Sequence, residues 1–183
     1  MKITETNTIL EIVPELFLKP PSGQEAVEIF NHMGFDSLSN ITDVDLEIKK
    51  EFTRFFSAPG EHKLPPYESY WHLKKQQEDP INAPRLYSRT TDEIKEIYDF
   101  LEIETINNLH EPPDHIAFEL SVYLSLLNVW DNVPDDLKKD FIDGHVMLWI
   151  PDYLKKLAEK KGYFYPQLAQ YLLNTIFNTQ NNV

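Results

Sequence analysis

An all-α fold is what this sequence predicts, and three observations predict it. Apolar residues recur at helical spacing along almost the whole chain, no alternating run is bounded by hairpin turns, and only five glycines interrupt 183 residues. The chain is 42% hydrophobic and 13% aromatic, which suffices for one core of ordinary size, so a single domain over residues 1–183 is expected.

Ile9, Ile12, Val13, Leu16 and Phe17 share one face of a first helix that Pro20-Pro21 stops. Pro14 interrupts it. A mid-helix proline costs about 3 kcal/mol, so this helix either kinks or begins its regular part near Val13. Ala26, Ile29, Phe30 and Met33 make a second stripe, after which Gly34 suits a left-handed C-terminal cap. A third stripe runs through Val44, Ile48, Phe52 and Phe55/Phe56. Thr42 opens it, with Asp43, Asp45 and Glu47 near the positive end of its dipole.

Pro59-Gly60 and Pro65-Pro66 then break regular structure, and residues 72–87, polar and proline-bearing, form a loop or a mobile flap within a loop-rich stretch, 58–90. Ile94, Ile97, Tyr98 and Leu101 give a short helix. The next opens at about Pro113 and runs to Trp130, its apolar residues surrounding the axis, which marks a helix packed on most faces. Leu137, Phe141, His145 and Leu148 share a face of another, with Pro151 as a kink or restart. Phe164, Leu168, Tyr171, Leu172 and Ile176 mark the last.

Several function classes are excluded by what is missing. A net charge of −13, from 30 acidic and 17 basic side chains, argues against nucleic acid and favours a basic partner. Without cysteine there is no disulfide, thiolate nucleophile or zinc knuckle from this chain alone. Met1 to Asn7 has no apolar run and is not expected to act as a secretory signal, which points to the cytoplasm. The stretch Ile116 to Trp130 is shorter than the roughly 20 residues of a membrane span and contains Glu119, so it reads as a buried helix. The glycine spacing writes neither a dinucleotide fingerprint nor a P-loop, and no two histidines are four apart. No cofactor, metal ion or catalytic residue is expected.

The segment Glu111-Pro112-Pro113-Asp114-His115-Ile116-Ala117-Phe118-Glu119-Leu120 places an acid and a histidine at the start of the most apolar helix. Free N–H groups there favour Asp114 as an anion and disfavour a protonated His115. Both side chains are therefore held by hydrogen bonds or by a ligand. The simplest arrangement has Asp114 capping the turn and His115 bonded to a carbonyl.

This segment resembles the E-P-x-D-H signature of the TorD family, the chaperones of dimethyl sulfoxide, trimethylamine N-oxide and nitrate reductases. Other landmarks occur in family order: Leu16 to Pro21, Phe52 to Phe56, Pro66-Tyr67-Glu68-Ser69, His145 through Trp149 to Pro151, and Tyr163-Phe164-Tyr165. Two positions depart. Relatives often carry a glycine soon after the tyrosine matching Tyr98, where this chain has Asp99-Phe100-Leu101-Glu102, and Gly60 falls where some place an aromatic residue.

The resemblance implies a TorD-like single-domain helical bundle that binds the twin-arginine signal peptide and the apo catalytic subunit of a molybdenum-cofactor oxidoreductase, delaying export until the cofactor is inserted. It implies a peptide groove of Pro113, Asp114, His115, Phe52, Phe55, Phe56, Tyr67 and Trp71, in a monomer or homodimer. Because Phe55 and Phe56 are adjacent and about 100° apart on a helix, at most one is expected to face the groove. Tyr67 and Trp71, four apart on a short helix, suit mutual packing as well as peptide. His145 and Trp149 are expected to be a satisfied core pair. Two other readings stay open: a metal-assisted or acid–base enzyme using Glu111, Asp114, His115 and His145, and a permanent structural assembly subunit.

Overall fold

Why the helices stop and start where they do is visible in a computed structural model, which describes residues 6–35, 38, 41–76, 88–103, 111–128 and 133–177. Among these residues there are nine α-helices and no strand; a lone antiparallel bridge joins Tyr67 and His115. The all-α class expected from periodicity is what the chain adopts. Contacts group it into two compact units, one of Met1–Pro65 with Pro151–Val183 and the other of Pro66–Ile150.

In the first unit, α1 (Thr6–Leu16) begins well before Val13, so of the two alternatives posed by Pro14 the late start does not occur. Pro14 sits in the last turn, where its missing N–H removes one ladder bond near the end. Phe17, Leu18 and Lys19 close that end with bonds to the Pro14 and Glu15 carbonyls. Helix α2 (Gly23–Met33) opens on a capping box between Ser22 and Glu25 and ends at Gly34 with φ 74°. Its buried residues are Ala26, Ile29, Phe30 and Met33, the stripe read from the sequence.

Helix α3 (Val44–Phe52) is capped by Asp43 rather than by Thr42, because the Asp43 carboxylate reaches the Leu46 N–H at 3.0 Å. A widened π turn, Thr53–Ser57, continues it, with the Ala58 N–H bonded to the Thr53 carbonyl at 2.7 Å. At most one of Phe55 and Phe56 is expected to face a groove, and both are buried, the π turn having shifted the helical phase.

Around them Phe56 meets Phe17 at 5.9 Å, Phe52 at 5.2 Å and Tyr165 at 4.9 Å between ring centroids, the last pair edge to face. Tyr153, Leu154 and Leu157 from the later part of α8 (Met147–Ala158) are fully buried, as are Phe164, Tyr165 and Leu168 at the start of α9 (Tyr165–Leu172). A buried carboxylate, Glu51, accepts the successive N–H groups of Tyr163, Phe164 and Tyr165, at 3.1 and 3.2 Å for the last two. It thereby occupies the positive end of α9.

The second unit holds α4 (Glu68–Gln76), α5 (Arg89–Phe100), α6 (Ile116–Asn128), α7 (Asp135–Phe141) and the beginning of α8. Residues 72–76, expected in a loop or flap, are helical; 77–87 lie outside the described residues. Helix α6 starts at Ile116, three residues later than expected, because Pro113 and Asp114 form a turn and His115 supplies the cap. All of Ile116 to Leu120, with Val122, Tyr123, Leu124 and Leu126, are buried, as a helix apolar all round requires. Val129 and Trp130 lie outside the described residues.

A second π turn, Ile142–Val146, joins α7 to α8. It resets the helical phase, so Leu148, expected on the buried face with Phe141, is 45% exposed while Trp149 and Ile150 are buried. Helix α8 runs through Pro151.

Candidate functional site

The acid–histidine segment is the junction of three helix starts in the second unit. His115 caps α6: its carbonyl accepts the Glu119 N–H at 3.3 Å, and its Nδ1 lies 3.2 Å from the Ala117 N–H. A backbone N–H can only donate, so Nδ1 is the unprotonated ring nitrogen and the imidazole is neutral. Burial pushes its pKa down to about 3, consistent with that tautomer. The Tyr67 ring packs edge-on against it at 5.2 Å.

Asp114 does for α4 and α5 what His115 does for α6. One carboxylate oxygen accepts the Ser69 N–H at 3.0 Å, in the first turn of α4; the other accepts the Thr91 hydroxyl at 3.2 Å. Thr91 is the third residue of the α5 capping box, and its hydroxyl accepts the Ser88 N–H at 3.1 Å. The backbone adds two rungs, Glu68 N–H to the Asp114 carbonyl at 3.0 Å and Ile116 N–H to the Pro66 carbonyl at 2.9 Å. Burial pushes the Asp114 carboxyl up despite the bonds from Ser69 and Thr91, which hold it down. The arrangement expected from sequence is reversed: His115 caps its own helix, and Asp114 bonds across to two others.

Beneath this joint lie more buried acids. Glu68 Oε2 is 2.9 Å from His145 Nδ1, and Oε1 is 3.0 Å from His72 Nε2. Burial alone would raise Glu68, but the two histidines outweigh it and hold the group below the usual carboxylate range. Glu119 accepts the Trp149 indole N–H at 2.9 Å. Burial, then the nearby Glu68, raise Glu119 well above its ordinary value, favouring its protonated form. Trp149 is fully buried and His145 part-buried, each bonded to a different buried glutamate.

The expected groove residues therefore divide. Asp114 is fully buried, His115 is 2% exposed, Trp71 is 2% exposed, and Phe55 and Phe56 are in the core of the first unit. The open trough expected around Asp114 and His115 is not formed by those side chains, because both spend their polar atoms inside the unit. Tyr67, Pro113 and Phe52 are half-buried, and Glu111 is exposed. Tyr67 donates its hydroxyl to Glu111 at 2.7 Å, leaving an acidic, aromatic edge on the outer side of the joint. Among the described residues no three His, Asp or Glu side chains are placed to hold a metal ion.

Sequence reasoning missed Glu68, Thr91 and Glu119 as members of this network. The one available signal was Glu119 itself, a charge inside the most apolar run, which a solvent-free helix keeps only if a partner meets it.

A family model for the nitrate reductase delta subunit matches residues 24–155, a stretch that includes the joint and both of its buried glutamates. The chain belongs to that family, which contains the NarJ and TorD chaperones. The chaperone protein TorD of Vibrio parahaemolyticus serotype O3:K6 is 24% identical over 146 residues, 74% of this chain. That alignment spans 64% of the relative, so this delta-subunit family member covers somewhat under two thirds of the relative's length. A solved structure from Archaeoglobus fulgidus, described as a candidate redox enzyme maturation protein, superposes with a TM-score of 0.55 over 97% of this chain and 95% of that one, at 17% identity. It shows the same fold. No helix among the described residues of this family member is long and apolar enough to cross a membrane.

Proposed function

We propose that this chain is a cytoplasmic maturation chaperone of one helical domain for a molybdenum-cofactor oxidoreductase. It binds the twin-arginine leader and the apo catalytic subunit and delays export until the cofactor is in place. The observation that carries this reading is the family match across residues 24–155. The chemistry of the surface is consistent with it. A chain of net charge −13 attracts a basic leader, and the exposed Glu111 carboxylate beside the Tyr67 ring offers a guanidinium both a charge partner and a flat face. Holding a peptide requires no bond-making, so no residue is assigned to catalysis.

In this reading the outer edge, Glu111, Tyr67 and Pro113, meets the client, and the half-buried Phe52 of the first unit is a separate candidate contact. Asp114 and His115 act indirectly, by fixing the segment that carries the edge.

Calorimetry of the full chain with a synthetic twin-arginine leader tests it. Wild type is expected to bind, with affinity falling as salt rises. Glu111→Lys is expected to weaken binding by about tenfold with an unchanged thermal midpoint, since an exposed rim charge steers encounter and adds little to folding. Wild-type protein that gives no binding to the leader, or that binds equally well after its two arginines become glutamates, overturns the reading.

A further inference from the structure

A concave surface lies in the first unit, lined by none of the residues discussed as client contacts. Helices α1 and α2 leave between them a cavity of about 250 Å³. Its floor includes Ile12, Leu16 and Ile29, and its rim carries Glu15, Glu25 and Glu28. Ile12 is 39% exposed although it belongs to the apolar stripe of α1, so no element among the described residues covers the stripe at that point. The volume is below the roughly 300–1,000 Å³ of enclosed small-molecule sites, which suits anchoring side chains of a chain laid across it.

The rim decides what kind of chain. Glu25 is fixed in the capping box, where the Ser22 backbone bond holds its carboxyl low, so it stays ionised. Glu28 is three residues on, along the same helix. Glu15 faces them from α1, paired to Lys19 at 3.1 Å with both side chains more than half exposed, a pair that an incoming cation can exchange at little cost. Three carboxylates against one lysine and one histidine, His32, select a segment that brings its own positive charge.

We infer that the α1–α2 groove is a second docking site, taking a short apolar segment flanked by adjacent basic side chains. That chemistry belongs to the client's leader, so the inference rests on the chaperone reading above.

The chain has no cysteine, so a single one can be placed and labelled uniquely. Full-length Ile12→Cys carrying a photo-crosslinker is mixed with a synthetic peptide of two arginines and an apolar run, and Leu127→Cys, exposed in the second unit, serves as the control. Crosslinking at position 12 is expected to exceed that at 127 by about tenfold, and Glu28→Lys to weaken peptide affinity by about tenfold without lowering the thermal midpoint. Equal crosslinking at both positions, or crosslinks that join two copies of the chain, overturn the groove as a leader site. If the peptide binds folded wild type and Glu28→Lys alike and position 12 stays unlabelled, the groove falls and the chaperone reading stands. If the peptide does not bind wild type at all, both fall.

Discussion

The Asp114 carboxylate meets the Ser69 N–H at 3.0 Å, across 45 residues of chain, and caps a helix to which it does not belong. Removing it leaves an N–H at the start of α4 and the Thr91 hydroxyl without their acceptor in a buried place. Asp114→Ala is expected to cost about 2–4 kcal/mol, measured by urea denaturation, because an orphaned buried donor costs its full desolvation penalty. Asp114→Asn, which keeps an acceptor oxygen, is expected to cost less than half as much. In folded samples of either variant, leader binding is expected to fall only as far as the folded fraction does, which separates a joint from a contact.

Glu102 holds a φ of 54°, in the left-handed region, at the end of α5. The Ile103 N–H reaches back to the Tyr98 carbonyl at 2.9 Å, the long bond of a Schellman ending. A side chain with a Cβ is strained there. Glu102→Gly is expected to stabilise the protein by about 0.5–1 kcal/mol, read as a rise in the denaturation midpoint. The chain thus makes this left-handed turn without a glycine, the residue that suits it.

Gly162 and Glu51 form another tight pair. A Cβ built on Gly162 would lie 2.8 Å from the Glu51 carboxylate, which is held in place by three backbone N–H groups. Gly162→Ala is expected to destabilise by about 1–3 kcal/mol through this overlap, and Glu51→Ala by about 2–4 kcal/mol through the lost acceptor at the start of α9. Thermal denaturation of the two single variants and the double variant is expected to show non-additivity, since both act on one contact.

Two buried groups give stability opposite dependences on pH. His115 has a folded pKa of about 3 against 6.5 when free, so its contribution is complete above pH 6.5 and is lost as pH falls toward 3. His115→Asn, a cap that does not titrate, is expected to gain on wild type below pH 6.5 by up to about 1.4 kcal/mol per pH unit. Glu119 is raised instead. Its contribution is complete below its ordinary value of 4.5 and is lost as pH rises toward the folded value. Glu119→Gln is expected to gain on wild type as pH climbs from 5 to 8, while its amide oxygen keeps the Trp149 bond. Urea titrations at four pH values distinguish the two slopes.

How much of this was legible beforehand depended on whether one helix or several carried the information. The stripe Ala26, Ile29, Phe30, Met33 with Gly34 predicted the buried face and the end of α2, because burial on one face and a left-handed cap are local properties of an eleven-residue segment. The apolar run after Ile116 announced a helix packed all round. Likewise, the segment from Glu111 to Leu120 was recognisable as special and as a family signature, and Asp114 and His115 as groups that need partners.

Only tertiary structure decided who those partners are and which side chains face outward. Asp114 bonds to Ser69 and Thr91, 45 and 23 residues away, and nothing in the local pattern of either helix start names the third segment that completes it. Phase was the other limit: π turns at Thr53–Ser57 and Ile142–Val146 insert a residue into the helical count, burying Phe55 with Phe56 and turning Leu148 outward. A period read from sequence assumes 3.6 residues per turn throughout, and one widened turn cancels that assumption for everything after it.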